Sequence, residues 1–144
     1  MKKGSAGILV DDAGQSLVEV ALALPLLLVL LLGIADGARA YRVAAMVANG
    51  AREGANFAAR TGTASVAQVT QRACDSTALV EFGNPCPGLT VTCTSQNGDA
   101  IVEVSYDFAL ITTSLADAAF KVNPITIRAA AKFPLMTVGT PCAN

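Results

Sequence analysis

The run from Leu17 to Ala35, LVEVALALPLLLVLLLGIA, is apolar at every position except Glu19, and it restricts the fold more than any other feature of the chain. As a helix, these 19 residues extend about 28 Å at 1.5 Å per residue, close to the roughly 30 Å hydrocarbon thickness of a bilayer. The sequence therefore predicts one membrane pass over 17–35. Pro25 falls inside the run, but membrane helices tolerate proline with a bend, so the helix is expected to continue through it. An acid at the centre of a membrane span costs about 2.5 to 3.5 kcal/mol. Glu19 stands at the edge of the run, and its retention there needs a reason.

With that segment set aside, 144 residues leave room for one small folded domain. The hydrophobic fraction, 53%, is above the ordinary globular value, and the surplus is local to the Leu-rich run and the Ala-rich stretch after it. Net charge is −1, which offers none of the basic surface a phosphate backbone requires, so nucleic acid is not an expected partner. Lys2 and Lys3 precede the run while Arg39 and Arg42 follow it, so flanking charge does not orient the span. The cysteines do better. Cys74, Cys86, Cys93 and Cys142 all follow the run, are even in number and show no CxxC pair. Two disulfides in an exported domain are expected, with all three pairings open, which puts the N-terminus in the cytoplasm and the C-terminal part outside.

Three fates for the apolar run compete. It can be a permanent signal anchor, or a secretory signal peptide cut at the Ala38-Arg39-Ala40 motif ahead of Tyr41. In the third, the cut falls after Gly14 and the run stays attached, making Gln15 the first residue and Glu19 the fifth. One helical turn separates residues one and five, so the carboxylate can meet the new α-ammonium of its own or a neighbouring chain. Two charges too costly to bury singly can then be buried as a pair.

The stretch GQSLVEVALALPLLLVLLLGIADGARAY, followed by NGAREGANFAARTG, resembles the TadE-like family of pilin-like proteins associated with Tad (tight adherence, Flp-type) pilus assembly. The resemblance is strong from Gly14 to about Arg60. It implies a Gly before the cut, a Glu at the fifth mature position, an LPLLL core, an Asp after a Gly-Ile pair and an Arg-Glu-Gly-Ala stretch, here Gly14, Glu19, Leu24 to Leu28, Asp36 and Arg52 to Ala55. Val20 stands where such leaders often carry Phe or Tyr, and Gly37-Ala38 where an aromatic-glycine pair is common. The partners implied are the membrane, a prepilin peptidase, other pilin-like subunits and the pilus assembly platform.

Beyond the span no proline appears before Thr61, and Ala, Arg and Glu dominate, so the helix is expected to run on to about residue 61. Gly33/Gly37 and Gly50/Gly54 are two pairs spaced by four, each on one helical face where another helix can approach closely. The first pair favours a partner helix and the second packing within the chain. Gly62 is expected to take a left-handed cap, with a second helix starting near Ser65 on the spacing of Val66, Val69 and Ala73, a spacing that Leu79 can extend. GNPCPG, Gly83 to Gly88, reads as loop.

Then the period changes to two. Leu89, Val91 and Cys93 share one face; Val102, Val104, Tyr106 and Phe108 share one, with Glu103, Ser105 and Asp107 opposite. Asn97-Gly98 between them signals a hairpin because both residues tolerate positive φ. A third strand, PITIRAAAKF, directs Ile125, Ile127, Ala129, Ala131 and Phe133 inward, and Leu110 to Phe120 reads as a loop or short helix. The expected fold is α+β: a long N-terminal helix, a shorter second one and a three-stranded antiparallel sheet, the lollipop of a pilin. Its parts would be a leader over 1–14, a helix over 15–61 and an extracytoplasmic domain over 62–144.

The chain has no His, and so lacks the commonest general base and metal ligand. Glu103 and Asp107 read as a solvated strand face, Ser105 has no activating partner, and GAREGA has no GK[ST] ending. No enzyme activity, cofactor, metal or small-molecule substrate is expected. The resemblance implies a minor pilin or pseudopilin, single-pass in the inner membrane, that takes part in pilus assembly. The alternative is a signal-anchored or secreted binding domain stapled by disulfides.

Overall fold

The computed structural model describes residues 12–77, 86, 88–113, 117–118, 121 and 124–142. Helix α1 spans Asp12–Arg60, 49 residues with Pro25 inside, and α2 spans Val66–Ser76. Three strands follow, β1 Leu89–Gln96, β2 Asp99–Phe108 and β3 Ile125–Pro134, forming one antiparallel sheet in the order β1-β2-β3. The class is the α+β arrangement expected from the change in hydrophobic period. Contacts divide the chain into two compact units, residues 1–35 and 36–144. Residues 36–60 of α1 thus belong with the sheet and α2.

In the first unit, Leu17 through Ile34 present their apolar side chains outward, with Leu22 74% exposed and Leu32 43%. No described residue of this unit covers them. Water cannot hold such a surface favourably, whereas hydrocarbon can. By length and composition this helix can cross a membrane.

The second unit has a core. Val43, Met46, Val47, Ala51, Ala55, Ala58 and Ala59 line the buried side of α1, and Ala100, Val102, Val104 and Phe108 come from the central strand. Alanine at the helix positions keeps side chains short and lets other elements lie close. Gly50 and Gly54 extend this: a Cβ on Gly50 would stand 2.8 Å from Thr77 Cγ2 and 3.3 Å from the Ala73 carbonyl, and one on Gly54 3.2 Å from Val102 Cγ1. Helix α2 brings Val69, Ala73 and Cys74 to the same core. Its first turn is held by a capping box, with Ser65 Oγ accepting from Gln68 N and Gln68 Oε1 accepting from Ser65 N.

Register follows the alternation read in the sequence. Val104 lies opposite Val91 and Ala129, and Val102 opposite Cys93 and Ala131. The hairpin turns on Asn97 at φ 55° and Gly98 at φ 80°, the pair of positive values a two-residue turn demands. Ile125 departs from the expected inward set: it is 36% exposed, whereas Ile127, Ala129, Ala131 and Phe133 pack against the core. It opens an edge strand, where the sheet offers little cover.

Gly62 is a second departure, since it is not in the left-handed region. Instead Thr61 N still bonds Phe57 O at 2.9 Å and Ala64 N bonds Thr61 O at 2.8 Å, closing the helix by successive turns. Glycine is required at 62 for space. A Cβ there would lie 2.7 Å from Thr137 Oγ1 and 2.8 Å from the Val138 carbonyl, and Gly139 packs its own backbone directly on Gly62.

Both disulfides form, Cys74–Cys86 and Cys93–Cys142. The first ties the end of α2 to the segment before β1. The second ties β1 to the C-terminal segment, whose Cys142 N also donates to Ala64 O at 2.7 Å. Leu79 and most of the Gly83 to Gly88 loop lie outside the described residues.

Candidate functional site

Two places on α1 carry polar groups at positions that composition alone would make apolar: the start of the run and its end. At the start, Gln15 Nε2 donates to Glu19 Oε1 at 3.3 Å across one helical turn, and both residues are exposed. Gly14 precedes them inside the helix. A Cβ at Gly14 would meet nothing within 4 Å among the described residues. No described residue packs on this glycine. Gly33 and Gly37 are likewise exposed with nothing within 4 Å of a Cβ, in contrast to the closely packed Gly50 and Gly54.

At the end of the run, Asp36 is 4% exposed. Its Oδ1 accepts from Ile111 N at 2.8 Å, and its Oδ2 accepts from Thr112 N at 3.0 Å and Thr112 Oγ1 at 2.7 Å. Arg39, one turn on, places Nη1 3.5 Å from Oδ1 as an ion pair without a hydrogen bond, and its guanidinium lies over the Phe108 ring at 5.0 Å. Burial alone would raise the Asp36 pKa. The Thr112 hydroxyl, the two amides and the Arg39 charge outweigh it and hold the carboxyl below the ordinary aspartate value. Asp36 is therefore an anion that clasps the segment after β2 to α1.

In the sequence, Asp36 is marked only by the resemblance pattern. The available signal was an acid immediately after an apolar run; its partners lie 75 and 76 residues away, where periodicity gives no information. The Ala38-Arg39-Ala40 motif lies within unbroken α1, with Arg39 and Ala40 half-buried. Glu103 is exposed, and Asp107 accepts from Thr126 Oγ1 at 2.7 Å. A cleft of about 310 Å³ is lined by Asn49, Glu53, Arg72, Asp75 and Ser76, an open surface of mixed charge. Among the described residues no group of three or more Cys, Asp or Glu is placed to hold a metal.

Gln15, Glu19, Asp36 and Arg39 all fall in one segment with a known counterpart. Residues 14–56 match the family model of TadE-like proteins. The family is linked to the pilin-like proteins of Tad pilus systems and is a structural one. The TadE-like stretch begins at Gly14, takes in Gln15, Glu19, Asp36 and both glycine pairs, and stops four residues before α1 ends. Alpha2, the sheet and all four cysteines lie outside it. No curated protein and no solved structure matches the chain.

Proposed function

We propose that this chain is a minor pilin or pseudopilin of a Tad-type system, cut by a prepilin peptidase between Gly14 and Gln15 and then assembled through its apolar helix with other pilin-like subunits. The observation that carries the reading is the Gly14-Gln15-Glu19 arrangement at the head of an uncovered apolar helix, within the TadE-like stretch. No described residue packs on Gly14, which fits a residue chosen for a protease. Before cleavage, Glu19 is bonded by the Gln15 side chain; afterwards the Gln15 α-ammonium adds a full charge one turn from the carboxylate. A subunit presenting that pair to a neighbour exchanges a neutral amide contact for an ionic one, which gains most where water is excluded.

The uncovered faces at Gly33 and Gly37 give neighbouring helices a place to approach. The secreted alternative fits less well. A cut at Ala40 would remove Asp36 and Arg39, which are built into the fold of the second unit. Cysteine bridges after the span favour an N-terminus in the cytoplasm and a C-terminal domain outside.

The test is the mass of the mature N-terminus in cells with and without the prepilin peptidase. A chain starting at Gln15 only when the enzyme is present is expected. One starting at Tyr41 supports secretion, and an intact Met1 in both strains supports a permanent anchor.

A further inference from the structure

We propose that the turn at Leu110 to Thr112 is a lipid-contact element, with Ile111 seated in the headgroup layer of the bilayer; this rests on 17–35 being a membrane span. Asp36 is the next residue in the chain after the apolar run, and Ile111 N is hydrogen-bonded to its carboxylate at 2.8 Å. Standard bond lengths then hold the Ile111 Cα within roughly 8 Å of the Asp36 Cα. The polar layer on each side of the hydrocarbon is about 5 to 8 Å deep. The clasp therefore keeps Ile111 within reach of that layer.

Two further observations point the same way. Ile111 is 57% exposed, although the turn that carries it is fastened by three hydrogen bonds to Asp36. An aliphatic side chain left exposed this close to the end of the run is one that lipid can cover with no rearrangement of its own turn. Tyr41, five residues beyond Asp36 and 79% exposed, is of the amphipathic aromatic type enriched at that interface. The clasp also removes the obstacle to such an approach. A carboxylate at the hydrocarbon edge is costly when unpaired, and both Asp36 oxygens are filled by protein donors.

The chain has no tryptophan, so single-tryptophan variants of the full-length protein report depth directly. Ile111→Trp, Leu27→Trp and Val138→Trp are each reconstituted into vesicles of phosphatidylcholine and phosphatidylglycerol, brominated either near the carbonyl end or near the middle of the acyl chain. Val138 is fully exposed and packs its backbone beside Gly62, past the end of α1. Ile111→Trp is expected to emit to the blue of Val138→Trp and to be quenched more by shallow than by deep bromines. Quenching of Leu27→Trp without quenching of Ile111→Trp overturns the lipid contact and leaves the span intact. Blue-shifted Ile111→Trp emission without quenching assigns the side chain to a protein neighbour, such as a second copy, and overturns it equally. Loss of quenching at Leu27→Trp would instead sink the membrane span on which the proposal rests.

Discussion

Asp36 shows how one residue can join parts of a chain that sequence proximity keeps apart. Its carboxylate offers two oxygens, and three donors from Ile111 and Thr112 use both. Asp36→Asn keeps the shape but turns one acceptor into a donor facing the Thr112 amide. Hydrogen bonds to charged groups contribute about 1.5 to 3 kcal/mol each, so a loss of that order is expected in urea unfolding of the full chain in detergent micelles. The pH dependence has a definite sign. Because the folded pKa is depressed, the contribution is present above the unfolded value, about 3.9, and is lost as pH falls through the folded pKa. Wild type and Asp36→Asn should therefore differ in stability at neutral pH and converge in acid; a difference unchanged below pH 2 would mean the charge contributes nothing. The acid was visible in the sequence and its purpose was not, since a carboxylate at a membrane edge looks the same whether it faces water or clasps a distant turn. Glu19 illustrates the converse: its partner Gln15 is four residues away, and helix periodicity alone brought the two together. If the ionic pair forms after processing, Glu19→Ala should leave N-terminal cleavage intact and reduce recovery of the protein with its pilus system; undiminished assembly would remove the charge pair from the mechanism.

At the level of elements, α1 contains two glycine pairs that are indistinguishable by spacing and opposite in surroundings. Gly50 is pressed against α2: its missing Cβ leaves room for Thr77 Cγ2 and the Ala73 carbonyl. Thr77 cannot turn away freely, because its hydroxyl donates to Cys74 O at 2.9 Å. Gly50→Ala gains about 1 kcal/mol of helix propensity, but must displace the end of α2, and overpacking of this kind costs about 1 to 3 kcal/mol. A net loss of stability is expected, measured by the same urea titration. Gly33→Ala meets no described atom, so its propensity gain is unopposed and the same titration should show no loss. Equal effects of the two substitutions would show that α2 yields at no cost. Sequence pattern identified both helices, the three strands and the hairpin because each has a period and a boundary signal of its own. It misjudged Gly62, where the need for glycine comes from the backbone of residues 138–139. A helix terminus followed by glycine suggests a left-handed cap, and only the folded C-terminal segment reveals the alternative.

Across the whole molecule, the described part of the second unit is a thin core enclosed by covalent ties. One sheet face, part of α1 and a helix of 11 residues supply its apolar burial, and alanine contributes much of it, so each buried position removes little area from water. The bridges offset this, and they do so unequally. Cys93–Cys142 spans 49 residues and Cys74–Cys86 spans 12; loop-closure entropy then assigns about 4 kcal/mol to the first and about 3 kcal/mol to the second. The pairings could not be read from four cysteines, because three connectivities satisfy the same spacing and the choice depends on where the last residues return. They return to Ala64, at the start of α2, beside the end of β1's neighbourhood only once the sheet has formed. The expected order is that Cys93→Ala/Cys142→Ala lowers stability more than Cys74→Ala/Cys86→Ala. The gap should be near 1 kcal/mol, narrowed because Cys74 and Cys86 are the more buried pair and their removal also leaves a void. Urea unfolding of both double variants in micelles, with the thiols of each quantified, decides it. A reversed order would mean that packing around Cys74 and Cys86, rather than chain closure, dominates what the bridges contribute.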